Sequence, residues 1–332
     1  MKNWLVRRWY SSAPAPWFLR PLSTLFGGIA AARRRRQQAR QQRLPVPVIV
    51  VGNIAVGGTG KTPFVIWLTQ RLREWGWQPG VISRGYGGNA AQWPRQVTAD
   101  SDPAEVGDEP VLIAARAGCP VAVGPDRVAA AQQLLASGGV DVIISDDGLQ
   151  HYRLARDLEI AVVDGNRGLG NGELLPAGPL REPPQRLDEM ALIVVNGKGW
   201  SAPTGRAIAM QLFSLEVRAL KGGAVRPIAG FAGQTVHAVA GIGNPARFFS
   251  MLSQHGIRLV MHPFPDHHPF APADLDFSDE LPVLMTEKDA VKCGRFAGER
   301  YWVVPVDAGI SAGDAAHVQE LVGTLRPAPK HG

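Results

Sequence analysis

Residues Val46-Pro-Val-Ile-Val-Val-Gly52 lead into Asn53-Ile-Ala-Val-Gly-Gly-Thr-Gly-Lys-Thr62, and Pro63 then opens an apolar helical pattern at Val65, Ile66, Leu68, Leu72 and Trp75. The first run is short, β-branched and without alternation, as a strand buried on both faces of a parallel sheet reads. A glycine-rich turn between such a strand and a helix start lets backbone N–H groups converge on an anion at the positive end of the helix. Ala55, Val56, Gly57, Gly58, Thr59 and Gly60 then form a phosphate cradle. Lys61 reaches the β- and γ-phosphates, and the Thr62 hydroxyl can hold Mg2+. The usual first glycine of G-x-x-x-x-G-K-[ST] is Ala55 here, while the rest of the pattern stands in the required context.

A metal partner is expected downstream. Val140-Asp-Val-Ile-Ile-Ser145 is a second buried-strand run, and it ends at Asp146-Asp147-Gly148. Acids at the carboxyl end of a central strand lie where open α/β sheets bind ligands, and the pair resembles a Walker-B element. Guanine-specific loops carry N-K-x-D; Asn196-Gly-Lys-Gly and Thr286-Glu-Lys-Asp have the wrong spacing, which favours an adenine nucleotide. Partitioning and metallochaperone ATPases share Gly-Gly-x-Gly-Lys-Thr but carry an extra lysine where this chain has Ala55 and Val56. A membrane-attached ATPase of that type is the alternative to a phosphotransferase.

Strand-like runs at 46–52, 80–83, 120–124, 140–145, 159–164 and 191–196 alternate with helical patterns at 62–75, 107–117 and 126–137. That alternation predicts an α/β fold, a P-loop NTPase-like doubly wound parallel sheet with right-handed crossovers. Further runs at 235–241, 257–262, 282–286 and 301–305 predict a second, smaller α/β domain, with 207–215 marking the crossing into it. The expected division is 1–43, 44–205 and 206–332.

The chain has 332 residues, of which 45% are hydrophobic and 19% charged. No run approaches the roughly 18 uninterrupted apolar residues of a confident span, which excludes a polytopic membrane protein. The formal net charge is +6, yet residues 1–43 hold ten basic side chains and no acid, so the rest of the chain is mildly acidic. A mildly acidic body argues against a nucleic-acid channel. Cys119 and Cys293 are far apart and give neither a disulfide framework nor a zinc site. In the basic segment, Leu22, Leu25, Phe26 and Ile29 form one helical stripe after Pro21; Trp4, Trp9, Trp17 and Phe18 precede it, and Arg33 to Arg36, Arg40 and Arg43 follow. The expectation is a membrane-associated helix lying in the cytoplasmic face of an anionic bilayer, against packing on the body or a tilted single span.

Candidates for activating a phosphoryl acceptor are Asp108 and Glu109 in Gly107-Asp-Glu-Pro110 and His267 in Phe264-Pro-Asp-His-His-Pro-Phe270. Taken alone, Asp108 reads as a helix-start acid. Prolines 263, 265 and 269 break any helical zinc spacing among His262, His267 and His268.

Several blocks together resemble the tetraacyldisaccharide 4′-kinase family of lipid A biosynthesis. They are Val51-Gly-Asn53 with Gly57-Gly-Thr-Gly-Lys-Thr-Pro63, Ser83-Arg-Gly-Tyr-Gly87, Gly107-Asp-Glu-Pro110, Gly124-Pro-Asp-Arg127, Asp146-Asp-Gly-Leu-Gln-His151, Leu175-Pro-Ala-Gly-Pro-Leu-Arg-Glu182, Gly241-Ile-Gly-Asn-Pro245, Phe264-Pro-Asp-His267 and Thr286-Glu-Lys-Asp289. The resemblance implies a kinase that uses ATP and Mg2+ to phosphorylate the 4′-hydroxyl of an acylated glucosamine disaccharide 1-phosphate. It implies action at the cytoplasmic face of the inner membrane; a monomer without a nucleic-acid partner is expected. It further implies Asp108 as base with His267 as its electrostatic and positional partner, and Lys61 at the phosphates. Thr62, Asp146, Asp147 and Glu109 fall on the metal side. Ser83, Arg84, Tyr86, Arg127, Gln150, Glu182 and Asp266 fall in the cleft.

Overall fold

The computed structural model of the chain describes residues 2–11, 14–203 and 205–325. In chain order the first elements are α1 (Lys2–Trp9), α2 (Arg20–Gln38), β1 (Val48–Gly52), α3 (Lys61–Glu74), β2 (Pro79–Ser83), β3 (Arg95–Val97), α4 (Pro103–Val106), α5 (Asp108–Ala117) and β4 (Val121–Val123). They are followed by α6 (Arg127–Ala136), β5 (Val142–Asp146), β6 (Leu158–Asp164), β7 (Leu192–Asn196), β8 (Ala207–Phe213), β9 (Glu216–Ala219), β10 (Val225–Pro227) and β11 (Thr235–Ala240). The last are α7 (Pro245–Gln254), β12 (Arg258–Pro263), β13 (Val283–Thr286), α8 (Glu287–Cys293), β14 (Tyr301–Val304), β15 (Asp307–Gly309) and α9 (Ala312–Gly323).

The larger sheet has nine strands in the order β15-β8-β7-β6-β1-β5-β2-β4-β3. Its seven inner strands are parallel, and β3 and β15 close the edges antiparallel. Because β1 and β5 are buried along their whole length, the loops at their carboxyl ends emerge side by side from the middle of the sheet. Alternate residues of each strand serve opposite faces. Ile49, Val51 and Ile144 pack under Phe64, Leu68 and Leu72 of α3, Ile113 of α5 and Val318 and Val322 of α9. Val48, Val50 and Ile143 pack on the other side with Val128, Ala131 and Leu134 of α6.

The smaller sheet runs β10-β9-β14-β13-β11-β12, with the last four parallel and β9 and β10 antiparallel. Phe248, Phe249 and Leu252 of α7 cover one face, and Ala290 and Cys293 of α8 lie on the other. Here the structure departs from the expected division at residue 205. Strand β8, read as the crossing into the second unit, is the eighth strand of the larger sheet, with Ile208 and Met210 buried in that sheet's core. The chain also returns to the larger unit, since β15 pairs with β8 and α9 packs on the α3 face. The smaller sheet is thus an insertion between two neighbouring strands.

Helix α2 inverts the usual rule that the apolar stripe is the buried one. Ser23, its one buried residue, donates to the Leu174 carbonyl at 2.8 Å, and a Cβ on Gly27 would lie 2.8 Å from the Leu174 side chain. Further along the same face, Arg34 pairs with Glu189 at 2.5 Å and the Gln37 amide oxygen accepts from the Tyr152 N–H at 2.9 Å. Leu22, Leu25 and Ile29 point outward, as do Trp17 and Phe18 ahead of the helix; Trp17 is 80% exposed. Among the described residues no helix is long and apolar enough to cross a membrane.

Candidate active site

The glycine-rich loop runs from the end of β1 to the start of α3. Gly60 caps the helix at φ +92°, a conformation that glycine adopts without a Cβ penalty, and a Cβ there would run into Asn196 Nδ2. That amide donates to the Thr59 carbonyl at 2.9 Å, and Asn53 Nδ2 donates to the Gly57 carbonyl at 3.3 Å. The loop is therefore held from outside by two amides. Its N–H groups at the first turn of α3, those of Lys61 and Thr62 among them, have no intrahelical acceptor and are available to an anion. Val56 does not belong to that set. Its N–H donates to the Pro179 carbonyl at 2.9 Å, and Ala55 bridges Leu180, so this half of the loop is spent on bracing against the 173–182 segment.

Lys61 Nζ stands 3.5 Å from Asp147 Oδ1, and Arg181 reaches the other oxygen of Asp147 at 3.3 Å. Burial works to raise the Asp147 carboxyl, but Lys61 and Arg181 outweigh it and hold it at about 2. Asp146 has the opposite fate. Burial, with Glu109 and Asp147 adding like charge, pushes its carboxyl well above the usual carboxylate range. One of its oxygens accepts from the Ser83 hydroxyl at 3.2 Å; Oδ1 is buried without a hydrogen-bond partner. Among the described residues no three His, Cys, Asp or Glu side chains converge as a ready metal cluster. An orphaned carboxylate oxygen beside a second carboxylate at a strand end nevertheless suits a hard divalent cation that completes its shell with phosphate oxygens and water.

The smaller unit comes down over this loop. A Cβ on Gly243 would lie 3.1 Å from Gly58 N and 3.4 Å from Asp266 Oδ2. Fully buried Asp289 fixes the overhanging segment: it accepts from the Gly241 N–H at 2.8 Å and the Thr286 hydroxyl at 2.6 Å. The Gly241 carbonyl in turn accepts the His267 N–H at 3.3 Å, and His267 sits at φ +61°. The result aims the imidazole at α5. Nδ1 of His267 lies 3.1 Å from both carboxylate oxygens of Asp108, across 159 residues of sequence. Asp108 is buried, which raises its pKa, but the His267 hydrogen bond and the Lys288 and Lys292 charges prevail and lower it below the ordinary value. The same hydrogen bond raises His267 against burial and against Lys288. The exposed ring of Tyr86 lies 5.1 Å from the imidazole, centroid to centroid.

The structure thus gathers Lys61, Asp146, Asp147, Glu109, Asp108, His267, Asp266, Ser83 and Tyr86 at one mouth between the two sheets; Thr62 follows Lys61 in the first turn of α3, and Arg84 is exposed just beyond β2. Two residues read as cleft charges are placed otherwise. Arg127 is 3% exposed and donates to the carbonyls of Gly124 and Asp146, bracing the acidic strand end from beneath; burial pulls its pKa down to about 10. Glu182 is buried with the Tyr152 hydroxyl, Gln150 Nε2 at 2.8 Å and Arg186. Gln150 also donates to the Asn53 carbonyl at 3.1 Å, so both support the loop from behind. Sequence reasoning passed over Arg181, Asn196, Lys288 and Arg247, the last bridging the units through the Asn196 carbonyl at 3.2 Å. Arg181 and Lys288 lie inside motifs quoted above, and Asn196 opens the Asn196-Gly-Lys-Gly run set aside there as wrongly spaced for a guanine site; Arg247 carries no local signal beyond its place at a helix start.

Comparison with known proteins identifies the family. Residues 15–325 match the sequence model described as tetraacyldisaccharide-1-P 4′-kinase, LpxK. The tetraacyldisaccharide 4′-kinase of Nitrosococcus oceani is 53% identical over 324 residues, covering 96% of this chain and 94% of that protein. Its counterpart in Alkalilimnicola ehrlichii is 57% identical over 301 residues, or 87% of each. The crystal structure of LpxK from Aquifex aeolicus, described as an "apo" form in complex with ATP, superposes with a TM-score of 0.78 at 28% identity, covering 92% of this chain and 98% of that one. This chain belongs to the tetraacyldisaccharide-1-P 4′-kinase family.

Proposed function

We propose that this protein transfers the γ-phosphoryl group of ATP to the 4′-hydroxyl of a tetraacylated glucosamine disaccharide 1-phosphate, giving lipid IVA. The observation that carries the reading is the contact between Asp108 and His267, made beside a phosphate loop in a chain of this family. The Asp108 carboxylate accepts the hydroxyl proton as the 4′ oxygen forms its bond to the γ-phosphorus. The bond from that phosphorus to the β,γ-bridging oxygen breaks, and ADP leaves with the electron pair. His267 orients Asp108 and keeps it ionised. Lys61 holds the β- and γ-phosphates, with the N–H groups of Gly57 to Thr62 around them. Thr62, Asp146 and Asp147 would hold Mg2+, with Glu109 nearby; when bound, the ion supplies neutralisation of phosphate charge. Because His267 and Asp266 come from one unit and the loop and Asp108 from the other, closure assembles the site and excludes water that would hydrolyse ATP.

The acceptor is a lipid, and the outward face of α2 supplies a way to reach it. Trp17, Phe18, Leu22, Leu25 and Ile29 are all more than half exposed, and Arg33, Arg35 and Arg36 follow on the same helix. That is an apolar face with a cationic flank, suited to lying in an anionic headgroup layer at the cytoplasmic face of the inner membrane. The protein acts there as a monomer. The test is incubation of detergent-solubilised protein with γ-labelled ATP, Mg2+ and an acylated disaccharide 1-phosphate. Label in the lipid is the expected result. ATP hydrolysis that ignores the acceptor would overturn the assignment and favour an ATPase of the partitioning type.

A further inference from the structure

Lys288 lies in the first turn of α8, and its side chain is 14% exposed. An ammonium group has three donors and no acceptor. Three acceptors surround this one: Glu109 Oε1 at 3.0 Å, Asp266 Oδ1 at 3.2 Å and His267 Nε2 at 3.2 Å. The donor set is therefore matched one for one. An ammonium can hold a ring nitrogen at that distance only where the nitrogen presents its lone pair, because two N–H groups facing each other repel. The ring's single proton is then on Nδ1, the nitrogen that faces both oxygens of Asp108.

We infer that Lys288 is a positioning residue for the phosphoryl transfer: its ammonium, acting on Nε2 while Asp108 acts on Nδ1, holds neutral His267 in the Nδ1–H tautomer with that N–H aimed at Asp108, and it clips Glu109 of the larger unit to Asp266 of the smaller. The alternative tautomer, with its proton on Nε2, turns a lone pair toward the Asp108 carboxylate and an N–H toward Lys288. Both contacts become repulsive. Which nitrogen carries the proton is set by the partner of the other nitrogen, and here that partner comes from a different element from the imidazole. Lys292 does not share the task, since it pairs with Asp289 at 3.0 Å and with Asp108 at 3.5 Å. The kinetic consequence rests on the proposed role of Asp108; the tautomer itself does not.

The experiment is 15N–1H correlation spectroscopy on the full chain labelled with 15N-histidine in detergent, at a pH raised until the His267 signals no longer move, so that this imidazole, whose pKa lies above the ordinary value, is neutral. The His267 signals are identified by their loss in His267→Gln. The unmodified protein is expected to give the Nδ1–H pattern. Lys288→Met leaves only the Asp108 contact to select the tautomer and is expected to admit a measurable share of Nε2–H. Lys288→Gln, whose amide can still donate to Nε2, is expected to keep the Nδ1–H pattern. In parallel, Lys288→Met should lower kcat by about tenfold to a hundredfold, the lower part of the range for acid–base contributions, with the KM for ATP nearly unchanged, and Lys288→Gln should recover part of kcat. An Nε2–H pattern in the unmodified protein, or an unaltered tautomer in Lys288→Met, overturns the inference. A fall in kcat without a tautomer change overturns it as well, because a simple clip between the units predicts that result. Should the unmodified protein transfer nothing to lipid yet show Nδ1–H, the functional reading fails while the lock on His267 stands.

Discussion

His267 and Asp108 meet through one nitrogen and two oxygens, each at 3.1 Å, although one residue hangs from the smaller sheet and the other opens a helix of the larger. A contact of this kind acts on turnover more than on donor binding, because neither group touches the glycine-rich loop. Asp108→Ala and His267→Ala are each expected to lower kcat by about a hundredfold to ten-thousandfold, the usual span for general acid–base groups, with the KM for ATP within a few fold. Lys61→Ala should damage both parameters, since its ammonium serves ground state and transition state alike. Steady-state kinetics with ATP varied at fixed lipid makes the comparison, and similar mild effects for all three would remove the assignment.

The same pair fixes the sign of the pH dependence. The Asp108 hydrogen bond raises the His267 pKa above its ordinary value, and the Asp108 carboxyl lies below its own. As pH falls, the imidazole therefore takes its second proton while Asp108 is still ionised, and the ion pair that forms weakens the base. Turnover should fall on an acid limb centred above about 6.5, the unperturbed imidazole value. The contribution of His267 to stability runs the other way. It is fully present below about 6.5, its unfolded value, and is lost as pH rises through the raised folded value. A profile of kcat against pH checks the first statement; the limb should vanish in His267→Gln.

How much of this was legible in the sequence follows from the range of the interactions. Strand β1, the loop and α3 lie within two residues of their expected bounds, because buried-strand composition, glycine spacing and helix periodicity are local signals. Strands β3, β10 and β15 have three residues each, too few for a period, and were not anticipated. The return of β15 and α9 to the larger sheet has no sequence signal; burial of Val318 and Val322 against α3 exists only after folding. In the site, Asp108 read alone as a helix-start acid, and only the family resemblance joined it to His267. Arg127 and Glu182 were put in the cleft by the family resemblance alone, since by themselves they read as a surface arginine and a loop acid; tertiary packing turns both inward, where they hold the loop and the acidic strand end.

Arg186 shows what that inward charge contributes. Its guanidinium, 1% exposed, lies 2.5 Å from Glu159, 3.0 Å from Glu189 and 3.0 Å from the Tyr152 hydroxyl, and Tyr152 in turn donates to Glu182. Arg186→Met leaves Glu159 and Glu182 buried with too little compensating charge, and removing one partner of a buried ion pair costs about 3–5 kcal/mol. Arg34→Met breaks a pair with Glu189 that is open to water, worth at most about 1 kcal/mol. Urea titration followed by tryptophan fluorescence should therefore separate the two variants widely. Comparable midpoints would mean that the buried network is dispensable.

The outward face of α2 makes the last prediction, because there membrane binding can be removed without touching the fold. Leu25 is 61% exposed and Ile29 60%, so Leu25→Asp with Ile29→Asp deletes no packing within the chain. Thermal midpoint and ATP affinity should stay unchanged, while sedimentation with anionic vesicles is lost. The cationic flank gives a graded version. Arg33, Arg35 and Arg36 are exposed, whereas Arg34 is tied to Glu189, so the useful triple variant is Arg33→Gln, Arg35→Gln and Arg36→Gln. At about 1 kcal/mol per basic residue near an anionic surface, less after screening, vesicle affinity should drop at least about tenfold and become less sensitive to salt. Phosphorylation of lipid embedded in vesicles should fall with binding, while phosphorylation of the same lipid dispersed in detergent should not. Were the aspartate pair to abolish both equally, α2 would be acting as part of the catalytic body and not as its membrane foot.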